Sequence, residues 1–169
     1  MAKQEPVRAV FPGAFDPFTL GHLDVVHRGA PLFGELVVAV GENPAKEHFF
    51  PLNERLDMIK QLVADVPNVR VDSYDCLTVE YVRQIKADVI LRGIRTLSDY
   101  HYEFTLALTN RSVAGVETMF IMSSEKYAHL SSSLIREVAT LGGDISAFLP
   151  ESIVKRVKVK FTQRNNSSS

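Results

Sequence analysis

The stretch Phe11-Pro12-Gly13-Ala14-Phe15-Asp16-Pro17-Phe18-Thr19-Leu20-Gly21-His22 decides the reading of this chain. A short apolar run, residues 7–11, leads into it, and an amphipathic segment, residues 23–33, leads out. That order predicts strand, glycine-containing loop, helix. It sets Gly21 and His22 at the start of a helix, where unpaired backbone N–H groups point outward and favour an anion. A Thr-x-Gly-His at such a turn points to a site that handles a nucleotide phosphate.

Outward from this turn, apolar runs of strand length alternate with longer segments of helical period. Strands are predicted at 7–11, 36–40, from 69, at 89–91 and at 118–122. Helices are predicted at 23–33, 52–66, 78–86, 100–113, 132–141 and 152–160. The run at 36–40 is apolar at every position, as expected of a strand buried on both faces of a parallel sheet. Apolar stripes are expected on Leu23, Val26, Ala30 and Phe33, on Leu52, Leu56, Ile59 and Val63, and on Val79, Val82 and Ile85. Gly142-Gly143 marks the end of the helix before it. Such a βαβ series, with right-handed crossovers, predicts an α/β chain: a single-domain, Rossmann-like, five-stranded parallel sheet with helices on both faces. No repeat or internal boundary interrupts it. The expected domain is 1–160, with 161–169 as a polar C-terminal tail.

Composition narrows the functional classes. The chain has 169 residues, 46% hydrophobic and 23% charged, which suits one soluble domain that folds without a disulfide or metal. A net charge of −1 argues against a general nucleic-acid binder. The single cysteine, Cys76, has no internal partner, and no apolar leader or run of about 20 apolar residues is found. A reducing, cytoplasmic setting without membrane contact is expected. Cys76 itself reads as a small apolar filler.

The polar residues gather after the strands. Asn43-Pro44-Ala45-Lys46 follows the second, Ser73 to Thr78 the third, Arg92-Gly93-Ile94-Arg95 the fourth, and Ser123 to Ser133 the fifth. Carboxyl ends of parallel strands share one edge of the sheet, where ligands bind. One rim therefore collects His22, Lys46, Arg92, Arg95 and a serine cluster, a phosphate-binding complement. Gly93 is read as allowing close backbone approach to a ligand. Ser131-Ser132-Ser133 reads as a helix N-cap and, with Arg136 one turn in, as an anion cradle. His27, His48 and His101 read as surface or packing residues. His129 gains interest only from its loop. No histidine pair has metal-ligand spacing.

The dinucleotide fingerprint G-x-G-x-x-G, the P-loop G-x-x-x-x-G-K-[ST] and the nucleophile elbow G-x-S-x-G are all absent. Dehydrogenase, P-loop phosphotransferase and acyl-enzyme readings lose support. The loops by themselves leave several readings open. One is a nucleotidyltransferase, whose acceptor the loops do not single out (nicotinamide mononucleotide and glycerol phosphate among them), and another a non-catalytic nucleotide-binding module.

From about residue 7 to residue 150 the chain resembles the phosphopantetheine adenylyltransferases, a family of the T/H-x-G-H nucleotidyltransferase superfamily. The resemblance rests on Pro12-Gly13-Ala14-Phe15-Asp16-Pro17, Thr19-Leu20-Gly21-His22, Asn43-Pro44-Ala45-Lys46, Arg92-Gly93-Ile94-Arg95, Asp99-Tyr100-His101-Tyr102-Glu103 and the segment from Leu130 to Val138. It implies adenylyl transfer from ATP to phosphopantetheine, giving dephospho-coenzyme A and pyrophosphate, the penultimate step of coenzyme A synthesis. It matches His22 to the residue that stabilises the transition state. Ala14, Lys46, Thr78 and Arg92 match positions that hold phosphopantetheine. Ala14, Phe15, His22, Gly93, Ile94, Arg95, Glu103, Tyr127, Ala128, His129, Leu130, Ser131, Ser132 and Ser133 match ATP contacts. It further implies Mg²⁺ carried mainly by ATP, coenzyme A as a feedback inhibitor and a homohexamer. The first loop of the family usually has serine or threonine where this chain has Ala14, so one hydroxyl for the acceptor phosphate is missing.

Overall fold

A computed structural model describes residues 6–43 and 45–167, the last four of these by backbone alone. Residues 1–5, Pro44 of the Lys46 loop and the tail end at 168–169 lie outside the described residues. Five parallel strands, β1 (Arg8–Gly13), β2 (Glu35–Gly41), β3 (Val69–Tyr74), β4 (Val89–Ile94) and β5 (Glu117–Met122), form one sheet in the order β3-β2-β1-β4-β5. The helices between and after them are α1 (Leu20–Gly29), α2 (Leu52–Leu62), α3 (Thr78–Gln84), α4 (Leu97–Ala114), α5 (Ser132–Thr140) and α6 (Glu151–Ser167). The expected α/β architecture is thus the observed one. Pairings such as Val10↔Val37 and Ala9↔Val89 place β1 between β2 and β4.

Strand side chains alternate between the two faces. Ala9, Phe11, Leu36, Val38, Val40, Val89 and Leu91 join the larger core, which is covered by α1, α2, α5 and α6. Val10, Val37, Ala39 and Ile90 join the smaller core with Tyr81 and Val82 of α3 and Ala114 at the end of α4. Both faces of the three central strands are therefore dry, which is why β2 lacks polar alternation. Cys76 is half-buried against the smaller core, the filler position expected of it.

Three local expectations are corrected. Arg92, Gly93 and Ile94 belong to β4 rather than to a loop, because their backbones continue the ladder opposite Phe120, Ile121 and Met122. The apolar run ends at Leu91, whereas the hydrogen-bonded strand does not. In α2 the expected stripe is met in part: Ile59 and Val63 are buried and Leu52 and Leu56 only partly covered, while Arg55 and Met58 also turn inward. The closing helix continues past Lys160 to Ser167, and Phe161 stacks on Phe49 at 4.6 Å. No described helix is long and apolar enough to cross a membrane.

A Cβ on Gly93 would lie 2.9 Å from Cγ2 of Val25, so the close approach made here is of β4 to α1. Val25 is buried and β-branched, with little freedom to retreat. Gly93→Ala is expected to destabilise the fold by about 1–3 kcal/mol in urea denaturation, the usual cost of overpacking.

Candidate active site

The site begins where α1 begins. Thr19 caps the helix: its hydroxyl accepts from the His22 N–H at 3.2 Å, and its own N–H donates to Nδ1 of His22 at 3.0 Å. This reciprocal capping box fixes the imidazole ring against the first turn. Since Nδ1 accepts, the neutral ring carries its proton on Nε2 and is a donor from that nitrogen. The ring is further held among Phe15 and Phe18, with centroids 5.1 and 5.3 Å away.

The loop before it is shaped by packing. Phe15 has a left-handed backbone (φ 50°), rare for a bulky residue and costing about 1–3 kcal/mol. Its ring folds back over Gly13, where a Cβ would stand 2.7 Å from the ring. Only glycine leaves room for that approach. Ala14 stays exposed at the tip.

The loops surround a cleft of about 440 Å³ at the carboxyl edge of β1 and β4. Ala14, Phe15, His22, Lys46, Arg92, Gly93, Arg95, Glu103, Leu130, Ser131, Ser132 and Ser133 all line it. Of the remaining sequence-derived candidates, Ile94 is buried beneath it. Thr78 stands outside its walls at the start of α3, its hydroxyl 3.0 Å from that of Tyr74. Tyr127 ends a 3-10 turn (Glu125–Tyr127), followed by Ala128 and an exposed His129 near Phe148. These three approach the cleft in sequence without forming its wall.

The two arginines are already partnered. Arg92 donates from Nε to Glu103 at 2.7 Å and from Nη1 to the Pro12 carbonyl, also at 2.7 Å. Arg95 pairs with Asp99 at 2.8 Å and donates to the Leu130 carbonyl. Both carboxylates come from α4. Lys46 is exposed on a turn closed by its N–H to the Asn43 carbonyl, 2.9 Å away. Of the three serines, Ser131 is the N-cap, accepting from the Leu134 N–H at 3.1 Å. Ser132 donates to the Pro17 carbonyl at 2.8 Å, and Ser133 accepts from Arg136 at 3.3 Å. The N-cap reading thus holds for Ser131, and all three serines also line the cleft.

Burial, then the positive charge of Arg95 and of Arg92, lowers the His22 pKa from 6.5 to about 3. In the free protein the imidazole is therefore neutral, with Nε2–H as its donor. An anion placed beside Arg95 and Arg92 would offset their charge and raise that pKa.

Sequence reasoning missed four contributors. Asp16 is buried, and its carboxylate accepts from the N–H groups of Phe49 (2.6 Å) and Phe50 (2.8 Å). Arg55 is fully buried and donates to the carbonyls of Ala14 and Phe50. His48, read as surface or packing, lines the cleft with Nδ1 3.6 Å from Asp16. Asp99, quoted above only within a motif, holds Arg95. Asp16 was visible in the loop sequence, but its bond to a segment 33 residues onward had no signal there.

A parallel sheet with a cleft lined by four cationic and four acidic side chains, at the point where its strand order reverses, is the architecture of a nucleotide-handling α/β domain. Residues 10–138 match the family model described as cytidylyltransferase-like. A phosphopantetheine adenylyltransferase of Caldanaerobacter subterraneus subsp. tengcongensis is 47% identical over 154 residues, covering 90% of this chain and 96% of that protein. The one from Thermosynechococcus vestitus is 46% identical over 92% of this chain and 93% of its own. Among solved structures, a bifunctional NMN adenylyltransferase/ADP ribose pyrophosphatase of Francisella tularensis shares the fold. Its TM-score is 0.66 at 13% identity, over 96% of this chain and 53% of that one. The chain belongs to the cytidylyltransferase-like family and, within it, to the phosphopantetheine adenylyltransferases.

The His22 shift has a testable sign. Its native state resists a proton that the unfolded chain takes up, so His22 lowers stability progressively as pH falls from 6.5 toward about 3 and has no such effect above 6.5. By NMR, the His22 ring of the free protein is expected to show no titration between pH 8 and pH 5. Inorganic pyrophosphate is expected to raise its midpoint. A free-state midpoint near 6.5 would contradict the assignment of a neutral donor.

Proposed function

We propose that this protein transfers the adenylyl group of ATP to phosphopantetheine, forming dephospho-coenzyme A and pyrophosphate. The observation that carries the reading is the convergence on one cleft of the His22 helix N-terminus, Lys46, the β4 arginine and the serine-capped start of α5. A phosphate monoester oxygen of phosphopantetheine attacks the α-phosphorus of ATP. The bond from that phosphorus to the α,β-bridging oxygen breaks, and pyrophosphate leaves. The nucleophile is anionic near neutral pH, so no general base is needed; positioning and charge stabilisation carry the catalysis.

In this mechanism the Nε2–H of His22 donates to the transferring α-phosphate. Lys46 and Arg92 hold the acceptor phosphate, and Thr78 also holds phosphopantetheine. Ala14, Phe15, Gly93, Ile94, Arg95, Glu103 and the segment from Tyr127 to Ser133 hold ATP. Mg²⁺ enters with ATP as part of the substrate, on phosphate oxygens and water.

The setting is proposed as cytoplasmic, with coenzyme A, which carries the groups of the product, as an inhibitor at the same cleft. The nucleotidyltransferase domain is proposed as 1–160, with the later turns of α6 extending its closing helix. Assembly as a homohexamer is proposed on the apolar outer side of the sheet edge, where Leu97, Tyr102 and Leu108 of α4 and Met119 and Met122 of β5 are exposed.

Mixing the protein with ATP, Mg²⁺ and phosphopantetheine is expected to release pyrophosphate and yield dephospho-coenzyme A by mass spectrometry. Nicotinamide mononucleotide and glycerol phosphate, with ATP or CTP, serve as competing acceptor tests. His22→Ala is expected to lower kcat by about 10²–10³ while ATP affinity changes far less, as for loss of one transition-state donor. A near-normal kcat would remove His22 from the mechanism. Ala14→Ser, which restores a hydroxyl at the loop tip, is expected to tighten phosphopantetheine binding by calorimetry; an unchanged or weaker Kd would refute this role.

A further inference from the structure

We infer that Arg55 is a positioning residue for phosphate binding: by holding the Ala14 carbonyl it turns the Phe15 N–H into the cleft as a phosphate donor. The inference rests on the reading of the cleft as the ATP site, and adds to it a residue that touches neither substrate.

Arg55 lies on α2 with no exposed surface. Burying an unneeded guanidinium is unfavourable, because an apolar side chain of like volume fills such a space at no desolvation cost. This one is spent on main-chain carbonyls of three separate segments. Nε donates to Phe50 at 3.0 Å, and Nη1 to Ala14 at 2.9 Å and, more weakly, toward Gly41 at 3.5 Å. Nη2 is buried without a hydrogen bond, its nearest acid being Glu42 at 3.9 Å. The guanidinium therefore ties the loop after β1 to the end of β2 and to the start of α2.

The geometry of the peptide unit carries the rest. The Ala14–Phe15 bond is trans, the sole cis bond among the described residues being Asp16–Pro17. In a trans peptide the C=O and N–H point in opposite directions. Arg55 lies on the interior side and is absent from the cleft wall, whereas Ala14 and Phe15 line it. A carbonyl drawn inward to Arg55 leaves the next N–H facing outward, and no hydrogen bond among the described residues uses the Phe15 N–H. The plane is held at its other end as well, since Phe15 is locked in its left-handed conformation by Phe11, Phe18 and the gap above Gly13. With alanine at position 14 the tip of this loop offers no hydroxyl, so main-chain N–H groups are its donors to an anion.

The test is calorimetry of ATP, inorganic pyrophosphate and adenosine on the wild-type chain and on Arg55→Lys, with thermal melts to verify folding. Lysine keeps the charge but lacks the planar fork that reaches several carbonyls. Arg55→Lys is expected to weaken ATP and pyrophosphate by about tenfold or more, the effect of losing a hydrogen bond to a charged group. Adenosine is expected to stay within about twofold. Equal losses for all three ligands would mark a merely structural residue, and unchanged pyrophosphate binding would also overturn the inference. Should the variant fail to fold, the wild-type amide spectrum decides: the Phe15 N–H resonance is expected to shift on adding pyrophosphate, and a static resonance overturns the proposal. A wild-type chain that binds ATP yet forms no dephospho-coenzyme A fails the reaction reading, while the ATP and pyrophosphate comparison still decides the role of Arg55.

Discussion

The structure depends on the parallel pairing of β1 with β4. The chain leaving β1 turns to one face of the sheet, where α1 packs in the larger core. The chain leaving β4 enters α4, whose end packs in the smaller core on the opposite face. Between two such diverging connections nothing fills the carboxyl edge, and a crevice opens there. The helix N-terminus at Thr19–His22 and the Arg92 side chain reach the same space because their strands are neighbours, although 70 residues separate them in the chain. Other candidate groups reach that gap on loops or on the helices and strand beside them, and polar contacts fasten the loops after β1, β2 and β5.

Those fastenings differ in kind from the hydrophobic packing beneath them. Asp16 binds two main-chain N–H groups, Arg55 binds carbonyls, and Arg136 reaches back from α5 to the Asp16 carbonyl. Together they join the loops after β1, β2 and β5 into one frame. Loops that bind anions need exposed main chain, which apolar contacts cannot orient. Buried hydrogen bonds can, because each is directional and costly to leave unmade.

The α/β order was legible because each strand is a short apolar run and each helix has a clear period. The helix start at His22 was legible for a stronger reason: Thr19 and His22 stand at the spacing of a reciprocal cap, so local chemistry and anion binding share one signal. Arg92 was placed in the right neighbourhood but the wrong element, since its polar side chain hides a backbone that continues the ladder. Arg55 was illegible. An arginine in an amphipathic helix reads as a solvent-facing residue, and only the carbonyls of distant loops explain its inward turn. His48 was passed over similarly, because nothing near it in sequence discloses its closeness to Asp16. What the chain order hides is long-range polar pairing, in which neither partner carries a periodic pattern.

The bond between Arg92 and Glu103 has a further consequence. The guanidinium is not a bare charge awaiting any anion; it already has a carboxylate in place, held by a helix that does not belong to the nucleotide loops. An arriving phosphate must compete with that resident or share the guanidinium with it, so stray inorganic phosphate gains little by entering. A ligand that reaches several loops at once recovers what a small ion cannot. On the proposed function, this resting ion pair sets what an incoming anion has to displace or share.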